Sequence, residues 1–173
     1  MTNSNSPTQI FKEDERPRLQ KLFINLFVYL GLILVASLLL TIWLISKFHL
    51  DFVWIANSAG VLGSTLSSLT SVLNRRANGF EDSAGTQTPD PATKKERFNE
   101  GMVFWFVVRP WFGGVIGAVA HWGFASEIFS PKGGVHTYLA HPQQAAFYGF
   151  LAGLLAKSLV DILKGLVKNI FKQ

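Results

Sequence analysis

The residue types that could carry chemistry are four histidines, scattered carboxylates and one serine-rich stretch. His136 and His141 share a short segment with Glu127 nearby, a donor set that could hold a metal, but neither HExxH nor any other ligand spacing is present. They read as loop histidines, with no metal or cofactor implied. His121 falls inside an apolar run, where an imidazole either titrates in a hydrated path or bonds a neighbouring backbone; the second is the commoner fate. No GxSxG elbow, P-loop or dinucleotide fingerprint occurs, and no serine pairs with a recognisable base. Cysteine is absent, which excludes disulfides, thiolate metal sites and cysteine nucleophiles. Asp51, Glu127 and Asp161 all sit near expected helix ends. With no carboxylate at mid-membrane, a proton-coupled transporter is disfavoured. These features point to a protein that is not an enzyme.

The stretch NSAGVLGSTLSSLTSVLNRR, Asn57 to Arg76, has the composition of a linker but not its pattern. At 100° per residue, Asn57, Gly60, Gly63, Ser64, Ser67, Ser68, Ser71 and Asn74 gather on one side of a helix. Val61, Leu62, Leu66, Leu69, Val72 and Leu73 gather on the other, with only Ser58 and Thr65 intruding. The helix therefore has one apolar face and one small, polar face. Two uses of that polar face compete. Small residues let helix backbones approach closely in membranes. Alternatively, Asn57, Ser64, Ser67, Ser68, Ser71 and Asn74 line a hydrated path ending at Arg75 and Arg76.

The elements that must carry these residues are membrane-spanning. Of 173 residues, 49% are hydrophobic and 16% charged, against about a quarter charged in soluble domains. Leu22 to Ser46 contains no charge over 25 residues, enough to span a bilayer and too long for a secretory signal core. Phe52 to Asn74 is a second uncharged run. A third apolar region, Gly101 to Ser126, is interrupted by Arg109-Pro110, and a fourth begins at Pro142. The fold class expected is all-α: a multi-pass membrane protein of four transmembrane helices, packed through small residues and homo-oligomeric. A cytoplasmic tail at 1–20 precedes a transmembrane domain at 21–173. Its helices lie at about 22–46, 52–74, 102–127 and 142–171, with a polar loop at 75–100.

Basic residues orient the chain. Thirteen of them lie in the N-terminal tail, the long loop and the C-terminal end, whereas Lys47 and Lys132 are the two on the other side. The positive-inside rule then puts both termini and the loop in the cytoplasm. The net charge of +5 belongs to this pattern and does not imply nucleic-acid binding. The end of the fourth helix, with Lys157, Asp161, Lys164 and Lys168 at helical spacing, projects into the cytoplasm or lies along the headgroups.

Spaced glycines recur outside the second helix. Gly113 and Gly117 mark the third segment and Gly149 and Gly153 the fourth, whereas the first segment is bulky throughout and is expected to face lipid. Arg109, followed by proline, is expected to start or kink its helix. It would either bind lipid phosphate at headgroup depth or, if inserted, find Asn74 or Asp161 as a partner.

GVLGSTLSSL, VVRPWFGGVIGAVAHW and AFYGFLAGLLAKSLVDIL together resemble a loosely defined group of small prokaryotic membrane proteins. That group has a Gly-rich second helix, an Arg-Pro before spaced glycines, and an F-x-A-G motif in the last helix. Arg109, Pro110, Gly113, Gly117, Phe150, Ala152 and Gly153 match the pattern, over roughly the last two-thirds of the chain. The group has no established activity. The resemblance implies the prokaryotic inner membrane and, by analogy with small membrane effectors of bacterial defence operons, membrane permeabilisation. The functional expectation is an oligomeric pore for ions or small solutes. The alternative is a scaffold or sensor that recruits a cytoplasmic protein partner, or anionic lipid, through its basic loop and C-terminal helix.

Overall fold

A computed structural model describes residues 15–47, 52–78, 98, 100–125 and 141–170. Among these the chain is helical, with α1 at Glu15–Ser46, α2 at Phe52–Ala77, a 3-10 turn at Glu100–Met102, α3 at Val103–Ala125 and α4 at Pro142–Ile170. Three of them (α1, α2 and α3 with its leading turn) are long and apolar enough to cross a membrane. His49, Glu127, Lys132 and His136 lie outside the described residues, as do the side chains of Asp161, Lys164 and Lys168.

The helices differ from the sequence pattern mainly at their ends. Helix α1 starts at Glu15, not near residue 22, so the last residues of the expected tail are helical. Pro17 lies in its first turn, where a missing N–H leaves no hydrogen bond unmade. Helix α2 runs three residues past Asn74 to Ala77, carrying Arg75 and Arg76 in its last turn, where cations complement the helix dipole. The helix does not start at Arg109-Pro110: it begins at Val103 and carries Pro110 within it. A proline inside a membrane helix is tolerated when neighbouring helices pack around the freed carbonyl, and Pro110 is buried.

Helix α2 is the hub. It packs most extensively on α3 and α4, less on α1, while α1 and α4 barely meet. Gly60 of α2 lies against Gly113 of α3 and Gly153 of α4, and Ala56 lies against Gly117 and Gly149. The pairings run in opposite directions for α3 and in the same direction for α4. Helix α2 is therefore antiparallel to α3 and parallel to α4.

The larger apolar side chains gather at the two ends of the α1–α2 contact. At one end Leu26, Leu30, Val72, Phe98 and Phe106 form a buried cluster; at the other Leu44, Ile55, Ala56 and Ala145 do so. Most of α1 is otherwise exposed, with Leu32 at 66% and Leu39 at 62%. Outward-facing Phe104, Trp111, Val115, Val119 and Trp122 give α3 a similar apolar exterior. Such a surface suits lipid as solvent, where contiguous apolar area needs no other cover.

Candidate functional site

The polar centre of the molecule is built where α2 crosses α3. Serine disrupts helices in water by competing for backbone groups, yet in an apolar bundle its hydroxyl can bond the carbonyl four residues back. Thr65, Ser68, Thr70 and Ser71 do this, to Val61, Ser64, Leu66 and Ser67, at 2.7 to 2.9 Å. These bonds leave the hydroxyls satisfied without water.

Ser64 does something else. It has no exposed surface, and its Oγ donates to the backbone carbonyl of Arg109 at 2.9 Å. That reach exists because Gly113, one turn on, has no side chain: a Cβ there would lie 2.8 Å from Ser64 Oγ and 2.7 Å from Gly60 O. Glycine is thus required on α3 for Ser64 to reach it.

Arg109 is 2% exposed. One guanidinium nitrogen donates to Ser67 Oγ at 2.8 Å and the other terminal nitrogen to Ser71 Oγ at 3.5 Å. It stands about 9 Å along α3 from Val103 at 1.5 Å per residue. An arginine inside a membrane helix costs about 2.5–3.5 kcal/mol by insertion scales, and hydrogen bonds from a charged donor return roughly 1.5–3 kcal/mol each. Arg109 is thus buried against α2, with Ser67 and Ser71 as partners that the sequence did not single out for it.

The proposed pore-lining residues are placed differently from one another. Ser64 and Ser68 are fully buried, and Ser67 and Ser71 are half-buried beneath Arg109. Asn57 is half-buried, its side-chain and backbone oxygens facing Gly114, and Asn74 is exposed at the far end of α2. Gly60, Gly63, Gly113, Gly117, Gly149 and Gly153 all occupy helix crossings where a Cβ would run into a neighbouring helix. Gly63, for example, lies against Phe150 and Leu154 of α4.

Next to this centre, Arg75 and Arg76 are held by aromatic rings. The Arg75 guanidinium lies 5.8 Å from the Phe106 ring and contacts Met102 Sδ; Arg76 lies 4.5 Å from the Phe23 ring of α1. Cation–π contacts of this kind contribute about 0.5–1 kcal/mol at exposed sites. Arg18 bridges to Glu100 at 2.8 Å, tying α1 to the turn before α3.

Two polar links had no counterpart in the sequence reading. The hydroxyls of Thr41 and Ser58 meet 3.0 Å apart between α1 and α2. Tyr29 donates its hydroxyl to the Val107 carbonyl at 3.3 Å and accepts from the Trp111 indole at 3.4 Å. The signal for the first was available: Ser37 and Thr41 are one turn apart in an otherwise bulky helix, on the stripe of Leu30 and Leu44. His121 is 8% exposed on α3. Among the described residues, no three of His, Asp and Glu stand together as a metal site. No protein-family model, curated protein or solved structure matches this chain.

Proposed function

We propose that this chain is a non-enzymatic integral membrane protein of the prokaryotic inner membrane, acting as a sealed anchor that presents a basic cytoplasmic face to a partner protein. In this reading it crosses the bilayer four times, with both termini and residues 75–100 in the cytoplasm. The observation that carries it is the use of α2's polar face. Ser64 and Ser68, at its middle, have no exposed surface, and their hydroxyls bond the Arg109 and Ser64 carbonyls. Serines at the middle of the face whose hydroxyls are taken up by neighbouring backbone are packing residues and do not solvate an ion.

Helix α4 serves as the fourth crossing because it runs beside α2 through Gly149 and Gly153, with Ala145 and Ala156 buried on the same side. An even number of crossings returns the chain to its starting side, and the basic residues make that side cytoplasmic. Arg75 and Arg76, held on Phe106 and Phe23, then form part of a fixed basic surface. Helix α4 continues about 18 Å beyond Ser158 to Ile170, a second element for docking. The partner matched by this charge has an acidic surface.

The competing reading is an oligomeric pore lined by α2. The two separate in proteoliposomes. The anchor reading predicts ion flux no greater than that of protein-free liposomes, and in-cell crosslinks to a cytoplasmic protein that are lost in an R75Q/R76Q variant. Conductance that is blocked by modifying a Ser67→Cys variant would overturn it in favour of the pore.

A further inference from the structure

The side of α1 nearest its N-terminal end carries a half-open groove of about 350 Å³, lined by Pro17, Arg18, Lys21, Leu22 and Asn25. We propose that this groove binds the phosphate headgroup of an anionic phospholipid whose acyl chain lies along the same stripe of α1. Positions 18, 21 and 25 share one helix face by their three- and four-residue spacing. Two cations and one amide therefore lie on one side of α1 at this groove.

The groove differs from a generic basic rim in two ways. Arg18 is positioned, because Glu100 holds one of its guanidinium nitrogens at 2.8 Å. A guanidinium has five donors, so the remaining edge is available to phosphate oxygens. Below the groove, the same stripe continues through Leu32, 66% exposed, and Leu39, 62% exposed. Between groove and stripe, the exposed Trp111 of α3 donates its indole to Tyr29 of α1. The order of cations, amide and then apolar stripe along one face matches the order of groups in one phospholipid molecule. A free phosphate would use only the upper part.

The inference rests on the reading that α1 spans the bilayer with this end in the cytoplasm. The test uses the full chain in nanodiscs of phosphatidylcholine with phosphatidylglycerol, followed by native mass spectrometry of retained lipid. The wild-type chain should retain phosphatidylglycerol over phosphatidylcholine. In the R18Q/K21Q double variant that preference should fall by up to about 25-fold, the scale two surface cations carry. Lys47→Gln, at the other end of α1, should leave it unchanged.

An Asn25→Cys variant carrying a benzophenone gives a second measurement that does not remove the cations. It should crosslink phosphatidylglycerol in preference to phosphatidylcholine. Equal retention of the two lipids by the wild type, equal crosslinking, or an equal loss with Lys47→Gln would overturn the site while leaving the membrane reading intact. Displacement of the lipid by soluble glycerol phosphate would overturn the lipid as ligand in favour of free phosphate. Failure of the chain to enter nanodiscs at all would overturn the membrane reading and the site with it.

Discussion

Adding one methyl group at Gly153 tests the α2–α4 crossing with little other change. An alanine Cβ there would lie 2.8 Å from the carbonyl carbon of Gly60 and 2.9 Å from its Cα, and nearer still to its carbonyl oxygen. Ordinary contact begins at 3.4 Å, and all three obstructing atoms are backbone, so no rotamer change relieves the clash. The two helices must part by more than about half an ångström, a gap that forfeits a quarter to a half of each local dispersion contact. Overpacking of this kind costs about 1–3 kcal/mol. Alanine is also the better helix former by roughly 1 kcal/mol in water, so the variant needs a reference with the same backbone change. Gly31→Ala supplies one, since a Cβ at Gly31 meets nothing within 4 Å. Reversible unfolding in mixed micelles, followed by tryptophan fluorescence, should place Gly153→Ala about 1–3 kcal/mol below Gly31→Ala. Equal stability of the two would refute the claim that glycine is needed for this close approach.

Other outcomes follow from the polar contacts. In a double-mutant cycle, Ser67→Ala and Arg109→Leu should couple by about 1.5–3 kcal/mol, the scale of a hydrogen bond from a charged donor. An arginine that instead reached the headgroups would give a coupling near zero. Arg109→Lys should not restore stability, because a single ammonium lacks the fork that spans Ser67 and Ser71. Thr41→Val should cost about 0.6 kcal/mol, the average for hydrogen bonds between membrane helices. Ser46→Ala, exposed at the end of α1 and bonded only to its own helix, should cost less in the same unfolding measurement.

The helices were legible because lipid imposes a crude requirement: long stretches without charge. Leu22 to Ser46 and Phe52 to Asn74 meet it over their full length. Helix ends were less legible, since charged residues such as Arg18 and Arg76 continue a helix beyond the apolar run once ion pairs and rings hold them. The two faces of α2 could be sorted by angle alone. Which element each face met could not, because that depends on how α3 and α4 return to it. Arg109 shows the limit most clearly. Charge and the following proline left headgroup phosphate, Asn74 or Asp161 as partners, but two serines four residues apart on another helix take the guanidinium. No local pattern around residue 109 encodes those partners. The Thr41–Ser58 contact was missed for the opposite reason, a weak but readable pair of hydroxyls outweighed by the bulk around them.

The central claim is that the middle of α2's serine face, at Ser64 and Ser68, is sealed by its own neighbours. Solvent access to single cysteines tests it most directly, since the chain has none of its own. Ser64→Cys, Ser68→Cys and Lys47→Cys variants would be exposed in liposomes to a membrane-impermeant thiol reagent from both sides. The exposed Lys47→Cys position should react at once. At positions 64 and 68, both 0% exposed, labelling should be slower by on the order of a hundredfold or more, because local opening must come first. Labelling at Ser68→Cys as fast as at Lys47→Cys would show that water reaches the face, and would contradict the sealed bundle.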